Sequence, residues 1–176
     1  NGEALETSAG SLTISATGDV SVSNDKTLGL LGLTAGSAVL RTSAGSLNVD
    51  GNVTIGQNLL LQAGTGGSVA IKADTLVSVT EGALSILAAQ GITLASGSVV
   101  SGLGGVDVQA AAGALAMSAN ARIASNGGNI RLAAGTDIVL GTVDARFTNG
   151  SLNANGSRLG VLAGGSIISA VLLPGA

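Results

Sequence analysis

From Leu12 to Ile167 an apolar-x-apolar unit recurs about every eight residues, usually just behind a glycine. Copies read G-S-L-T-I at Gly10 to Ile14, G-S-L-N-V at Gly45 to Val49, G-S-V-A-I at Gly67 to Ile71 and G-A-L-S-I at Gly82 to Ile86. Further copies begin at Gly113, Gly128, Gly150 and Gly165. Alternation over four or five positions is the pattern of a half-buried strand, because successive side chains on a strand point to opposite faces. A chain built almost wholly of such units is a repeat protein, and 1–176 is read as one domain.

Taking every third unit as one face indexes the repeat. The first set is Val20, Leu47, Val69, Ile92, Leu115, Ile138 and Leu159, expected to form a continuous inward stack. A second set is Leu31, Val53, Val77, Val99, Ile123, Ala145 and Ile167, and a third is Leu12, Val39, Leu61, Leu84, Val106, Ile130 and Leu152. All three keep a period of roughly 22 to 23 residues, which suits about seven coils of three short strands each. Parallel pairing of coils at about 4.8 Å gives a stack roughly 30 to 35 Å long. The expected fold is all-β: a parallel β-helix.

Composition agrees with a narrow interior. The chain is 45% hydrophobic yet has one Phe, one Met, no Trp and no Tyr, so stacked Val, Ile, Leu and Ala must fill the core. The 29 glycines supply corners, where positive φ is needed. Pro174, the only proline, is a place where the ladder can stop, since proline cannot donate to a strand pair. No apolar run approaches the 18 or so residues of a spanning helix, and the strands are too short and too poor in aromatics for a membrane barrel. Membrane insertion is not expected. The first residue is Asn1 and no signal sequence is present, which reads as a fragment or a processed form.

A formal net charge of −3 without a basic cluster argues against nucleic-acid binding. The indexing gives the charges a structural task. Asp107 with Arg131, Arg122 with Asp144, Asp137 with Arg158, and Asp50 with Lys72 share offsets in neighbouring coils, where opposite charges attract. They are expected to be outward ion pairs worth about 0 to 1 kcal/mol each. With no His and no Cys, His/Cys zinc sites, thiol nucleophiles and Ser-His-Asp arrangements are excluded. The nearest thing to a carboxylate-plus-base cluster is Asp137, Asp144, Arg131 and Arg146, read as surface charge. The calcium nonapeptide spacing, Thr-x-Thr ladders and a phosphate loop are all missing. No catalytic residue, metal site or cofactor is expected.

These units, together with turns such as Ala134-Gly135-Thr136 and Ala163-Gly164-Gly165 and phrases such as Gly18-Asp19-Val20-Ser21-Val22, resemble the repeat region of filamentous haemagglutinin-like exoproteins. Those are secreted adhesins of bacterial two-partner secretion systems. The resemblance spans essentially the whole chain and implies a right-handed β-helix shaft, an extracellular or cell-surface location, and a role in cell adhesion or biofilm. The implied partners are neighbouring β-helix segments, other copies of the protein, and a host-cell surface or polysaccharide. The N-P-N motif of the family's secretion domain is absent, which points to shaft rather than export module. Two other readings stand beside the shaft: a self-assembling filament subunit with open coil ends, and, more remotely, a β-helical polysaccharide lyase or hydrolase.

Overall fold

The computed structural model describes residues 3–146 and 156–170. Its described residues form 21 strands and no helix, and every strand pair is parallel. The chain winds as a β-solenoid with three faces. The first face is an eight-stranded sheet running from Leu5–Thr7 through Val20–Asn24, Ala38–Ala44 and onward to Leu159–Ala163. Eight strands span seven gaps of about 4.8 Å, or roughly 34 Å. Leu47–Val49, Val69–Ile71, Ile92–Leu94, Leu115–Met117, Ile138–Leu140 and Ile167–Ser169 build the second face. Val53–Ile55, Leu76–Val79, Val99–Gly102, Arg122–Ala124 and Thr142–Asp144 build the third.

At the amino end the coil is smaller. The strand Leu28–Ala35 runs through both later faces without a corner: its first half pairs with Leu47–Val49 and its second with Val53–Ile55. Ser11–Ser15 pairs along it, with a register shift between Leu12 and Thr13. Missing corners shorten the circuit. Val20 pairs with Ala38, 18 residues on, and Leu28 with Leu47, 19 on, whereas Val69, Ile92, Leu115 and Ile138 follow one another at intervals of 23. Ile138 then pairs with Ile167, 29 residues on.

This uneven circuit corrects the constant-period indexing. The inward stack of the second face is Leu28, Leu47, Val69, Ile92, Leu115, Ile138 and Ile167. Val20 and Leu159 belong to the first face instead, in the row Val20, Ala38, Leu59, Leu84, Val106, Ile130, Leu159. Inward positions on the third face are Leu33 and Val100 rather than Leu31 and Val99, and Val143 rather than Ala145. A slip of one residue, as at Val99 and at Val39, turns a side chain from the core to the outside. Leu12 pairs with Leu30 next to the second face, and Leu61 is inward on the first face, in the row beside Leu59. Leu152 and Pro174 lie outside the described residues.

The core is close-packed aliphatic side chain. Leu47, Val69, Ile92, Leu115 and Ile138 have no exposed surface, and burying each stabilises the fold by about 1.5–3 kcal/mol. The corners explain the glycines that precede the strands. Gly45 has φ +80°, and a Cβ on Gly67 would sit 1.9 Å from the Gly45 carbonyl oxygen, so successive coils touch backbone to backbone there. Beside that contact a hydroxyl ladder climbs the corner. The Ser46 N–H donates to Thr27 Oγ1 at 3.1 Å, the Ser68 N–H to Ser46 Oγ at 3.1 Å, and the Gly91 N–H to Ser68 Oγ at 3.3 Å.

One polar side chain stands inside the solenoid near its amino end. Asn24 is fully buried. Its Oδ1 accepts from Thr7 Oγ1 at 2.7 Å and from the Ala9 N–H at 2.8 Å, while its Nδ2 donates to the carbonyls of Ala9 at 3.1 Å and Lys26 at 2.8 Å. The same inward row continues as Thr42, Ala63, Ala88, Ala110 and Ala134. Asn24 therefore ties the corner of the first coil to the second by side-chain hydrogen bonds where later coils rely on packed alanines.

Candidate functional surface

Outward positions alternate with the inward rows, so every side chain available for chemistry lies on one of three faces or on a corner between them. Asp107 and Arg131 are directly paired residues of the first face, and Arg131 Nη1 donates to both carboxylate oxygens at 2.9 and 3.0 Å. Both side chains are more than a third exposed, which places the pair among those worth about 0 to 1 kcal/mol.

Arg122 and Asp144 approach to 3.4 Å on the third face, but not from equal positions: Arg122 pairs with Thr142, and Asp144 with Ala124. The closer partner of Asp144 was not anticipated. Arg146 grips it with Nε to Oδ1 at 2.9 Å and Nη2 to Oδ2 at 3.0 Å, and the Arg146 backbone N–H also donates to Oδ1 at 3.0 Å. These hydrogen bonds hold the Asp144 carboxyl well below the usual carboxylate range, with a smaller contribution from the nearby charge of Arg122, and they raise the Arg146 guanidinium above its ordinary value. An aspartate followed two positions later by an arginine is the available sequence signal, but it is a common one and says nothing about a turn that folds the arginine back.

The other two expected pairs do not form. Asp137 stands at the corner before the second face and accepts the Ser166 N–H at 2.7 Å, while Arg158 stands at the corner before the first face and gives its backbone N–H to Asn129 at 2.9 Å. They were matched because each precedes an apolar residue, but those two residues, Ile138 and Leu159, belong to different faces. Asp50 and Lys72 do follow the paired residues Val49 and Ile71, yet their side chains form no ion pair among the described residues. Both are exposed, and solvation competes with so weak a contact.

Asp137, Asp144, Arg131 and Arg146 are thus not one cluster. Arg131 lies on the first face, Asp137 on the corner leading to the second, and Asp144 with Arg146 on and just after the third. Among the described residues no group of three or more acidic side chains is placed to hold a metal ion. The largest depression, about 520 Å³, lies along the first face near the amino end and is open to solvent. Glu3, Asp19, Ser21, Asn58 and Ser85 supply its polar groups, and Val39 and Leu60 its floor. A second acceptor series runs up the corners: the N–H groups of Leu76 and Ala83 donate to the side-chain oxygens of Asn52 and Asn58. The polar corner residues mostly serve the backbone of the next coil. The sequence signal was the Ser, Thr, Asn or Asp that precedes the first apolar residue of so many units, a position that needs an acceptor for a neighbouring amide.

No helix among the described residues is long and apolar enough to cross a membrane. The chain matches no family model, no curated protein and no solved structure.

Proposed function

We propose that this chain is a shaft segment of a secreted or surface-attached bacterial adhesin of the two-partner-secretion type, a stiff rod that holds a binding region away from the cell. One observation carries the reading: the β-solenoid is continuous, and its outward charges are dispersed over three faces rather than converging on a cleft. A solenoid in which each coil contacts its neighbours spans length with few residues, here roughly 4.8 Å for every 23 or so. The Gly-Ser-Leu-x-Val/Ile units support the family assignment through their resemblance to filamentous haemagglutinin-like repeats.

The test is a display series in which one, two or three tandem copies separate a surface anchor from an epitope on a capsulated bacterium. A shaft extends reach by roughly 34 Å per copy, so accessibility to an antibody rises stepwise with copy number. Constant accessibility counts against it. Polysaccharide lyase or hydrolase turnover by the purified chain, lost in Asp137→Ala or Asp144→Ala, overturns the non-catalytic reading altogether.

A further inference from the structure

The two ends of the described solenoid present matching surfaces. At the amino end, Leu5–Thr7 and Ser11–Ser15 each pair with a neighbour on one side only; at the carboxyl end the same holds for Leu159–Ala163, Ile167–Ser169 and Thr142–Asp144. Both sets occupy the same three faces with the same strand direction, so translation along the axis brings one set onto the other in parallel. Their inward side chains are uncovered. Leu5, Leu159 and Ile167 are 62%, 50% and 54% exposed, whereas Leu40, Leu84 and Ile138, which occupy interior positions of the corresponding rows, have no exposed surface.

The ladder fixes the register of such a junction. On the first face Leu5, Val22, Leu40, Leu61, Ile86, Val108, Leu132 and Val161 are one row, so a following copy sets its Leu5 on Val161 and its Thr7 on Ala163. Leu5 pairs with Val22, which puts Glu3 level with Val20, in the row that ends at Leu159. Arg158 of the preceding copy then comes beside Glu3 and Asp19, two carboxylates that line one depression. Its guanidinium makes no ion pair among the described residues of its own chain.

Charge selects the occupant. Residues 3–25 carry Glu3, Glu6, Asp19 and Asp25 and no Lys or Arg, for a side-chain charge of −4. Residues 122–170 carry Arg122, Arg131, Arg146 and Arg158 against Asp137 and Asp144, four minus two, or +2. Open edges and apolar ends accept any β-solenoid coil, but ends of opposite charge on one molecule favour another copy of that same molecule, stacked head to tail. We infer that the amino and carboxyl ends of this chain are complementary docking surfaces through which copies join end to end, with Arg158 of one copy against Glu3 and Asp19 of the next. This goes beyond the shaft reading and does not rest on it: copies can join whether or not the rod belongs to an adhesin, and the display series does not depend on their joining.

The experiment is sedimentation velocity with small-angle scattering on the purified 176-residue chain over a concentration series at low and high salt. The expected result is concentration-dependent association into rods that lengthen by roughly 34 Å per copy at constant cross-section, weaker in high salt. Arg158→Glu lowers the association constant at least tenfold with an unchanged circular dichroism spectrum, because the side chain is exposed. Mixing that variant with a Glu3→Arg/Asp19→Arg chain restores association, since every junction in an alternating rod then carries opposite charges. Leu5→Lys, at a position already open to solvent, gives the same loss by placing an ammonium group over Val161. A monomer at every concentration, rods that widen instead of lengthen, or association indifferent to both Arg158→Glu and Leu5→Lys overturns the inference.

Discussion

Asn24 offers the sharpest test of how the amino-terminal coil is held. Replacing it with alanine removes four hydrogen bonds, to Thr7 Oγ1, the Ala9 N–H, the Ala9 carbonyl and the Lys26 carbonyl. At about 0.5–1.5 kcal/mol for each bond, the loss spans about 2–6 kcal/mol. Thr7 and Ala9 are half-buried and Lys26 is exposed, so water recovers part of it and the lower half of the range applies, about 2–4 kcal/mol. A repeat protein need not unfold in one step, so a global melt is the wrong readout. Native-state hydrogen exchange of the Leu5–Thr7 and Ser11–Ser15 amides reports opening of the first coil alone. Asn24→Ala is expected to speed their exchange roughly 30- to 700-fold, while the central Ile92–Leu94 amides change little. The outward neighbour Ser23→Ala serves as control and shifts stability by less than about 0.5 kcal/mol. Equal effects at both sites, or acceleration spread evenly over all coils, refutes the clamp.

In the middle of the solenoid, Ile92→Ala is expected to cost about 2–5 kcal/mol by leaving a cavity between Val69 and Leu115, and Ile92→Asp, which buries an unpaired charge, to prevent folding of the central coils; urea titration followed by circular dichroism measures both. Gly67→Ala drives a methyl group to within 1.9 Å of the Gly45 carbonyl oxygen and forces that corner apart, whereas Gly66→Ala meets no atom within 4 Å and carries only the strain of φ +69°; an equal melting temperature for the two variants counts against the close-contact explanation. A double-mutant cycle on Asp107 and Arg131 is expected to return a coupling of no more than about 1 kcal/mol, and a much larger value means the pair is less solvated than its exposure shows. Because the folded-state acidity of Asp144 is depressed by Arg146, the pair's contribution is complete above about pH 4, the unfolded carboxylate value, and fades as the pH falls through the lower folded value. The Arg146 Nε–H signal in NMR should therefore stay unchanged between pH 7 and pH 4 and move only below it.

The strand pattern and the solenoid were legible in the sequence because both follow from local chemistry. A residue that must point inward is apolar, and Leu47, Val69, Ile92, Leu115 and Ile138 announce their shared stack by a nearly constant spacing of 22 or 23 residues. Glycine marks the corners for an equally local reason, the φ of +80° at Gly45 and the close backbone approach at Gly67. Asp107 and Arg131 could be matched because both sit one residue after a core position in full-sized neighbouring coils. The ends of the stack were not legible. A constant period assigns Val20 to the second face, but the uncornered strand Leu28–Ala35 removes a turn and moves every earlier residue to another face. No residue type reports a corner that is absent; the strand stays straight because both of its halves find partners in the coil above. The same holds for Asp137 and Arg158, which look equivalent along the chain and stand on different corners. Sequence thus determines which side of a strand faces the core, since that depends on the residue itself, while tertiary structure decides which strand lies next to which, since that depends on the length of every circuit between them.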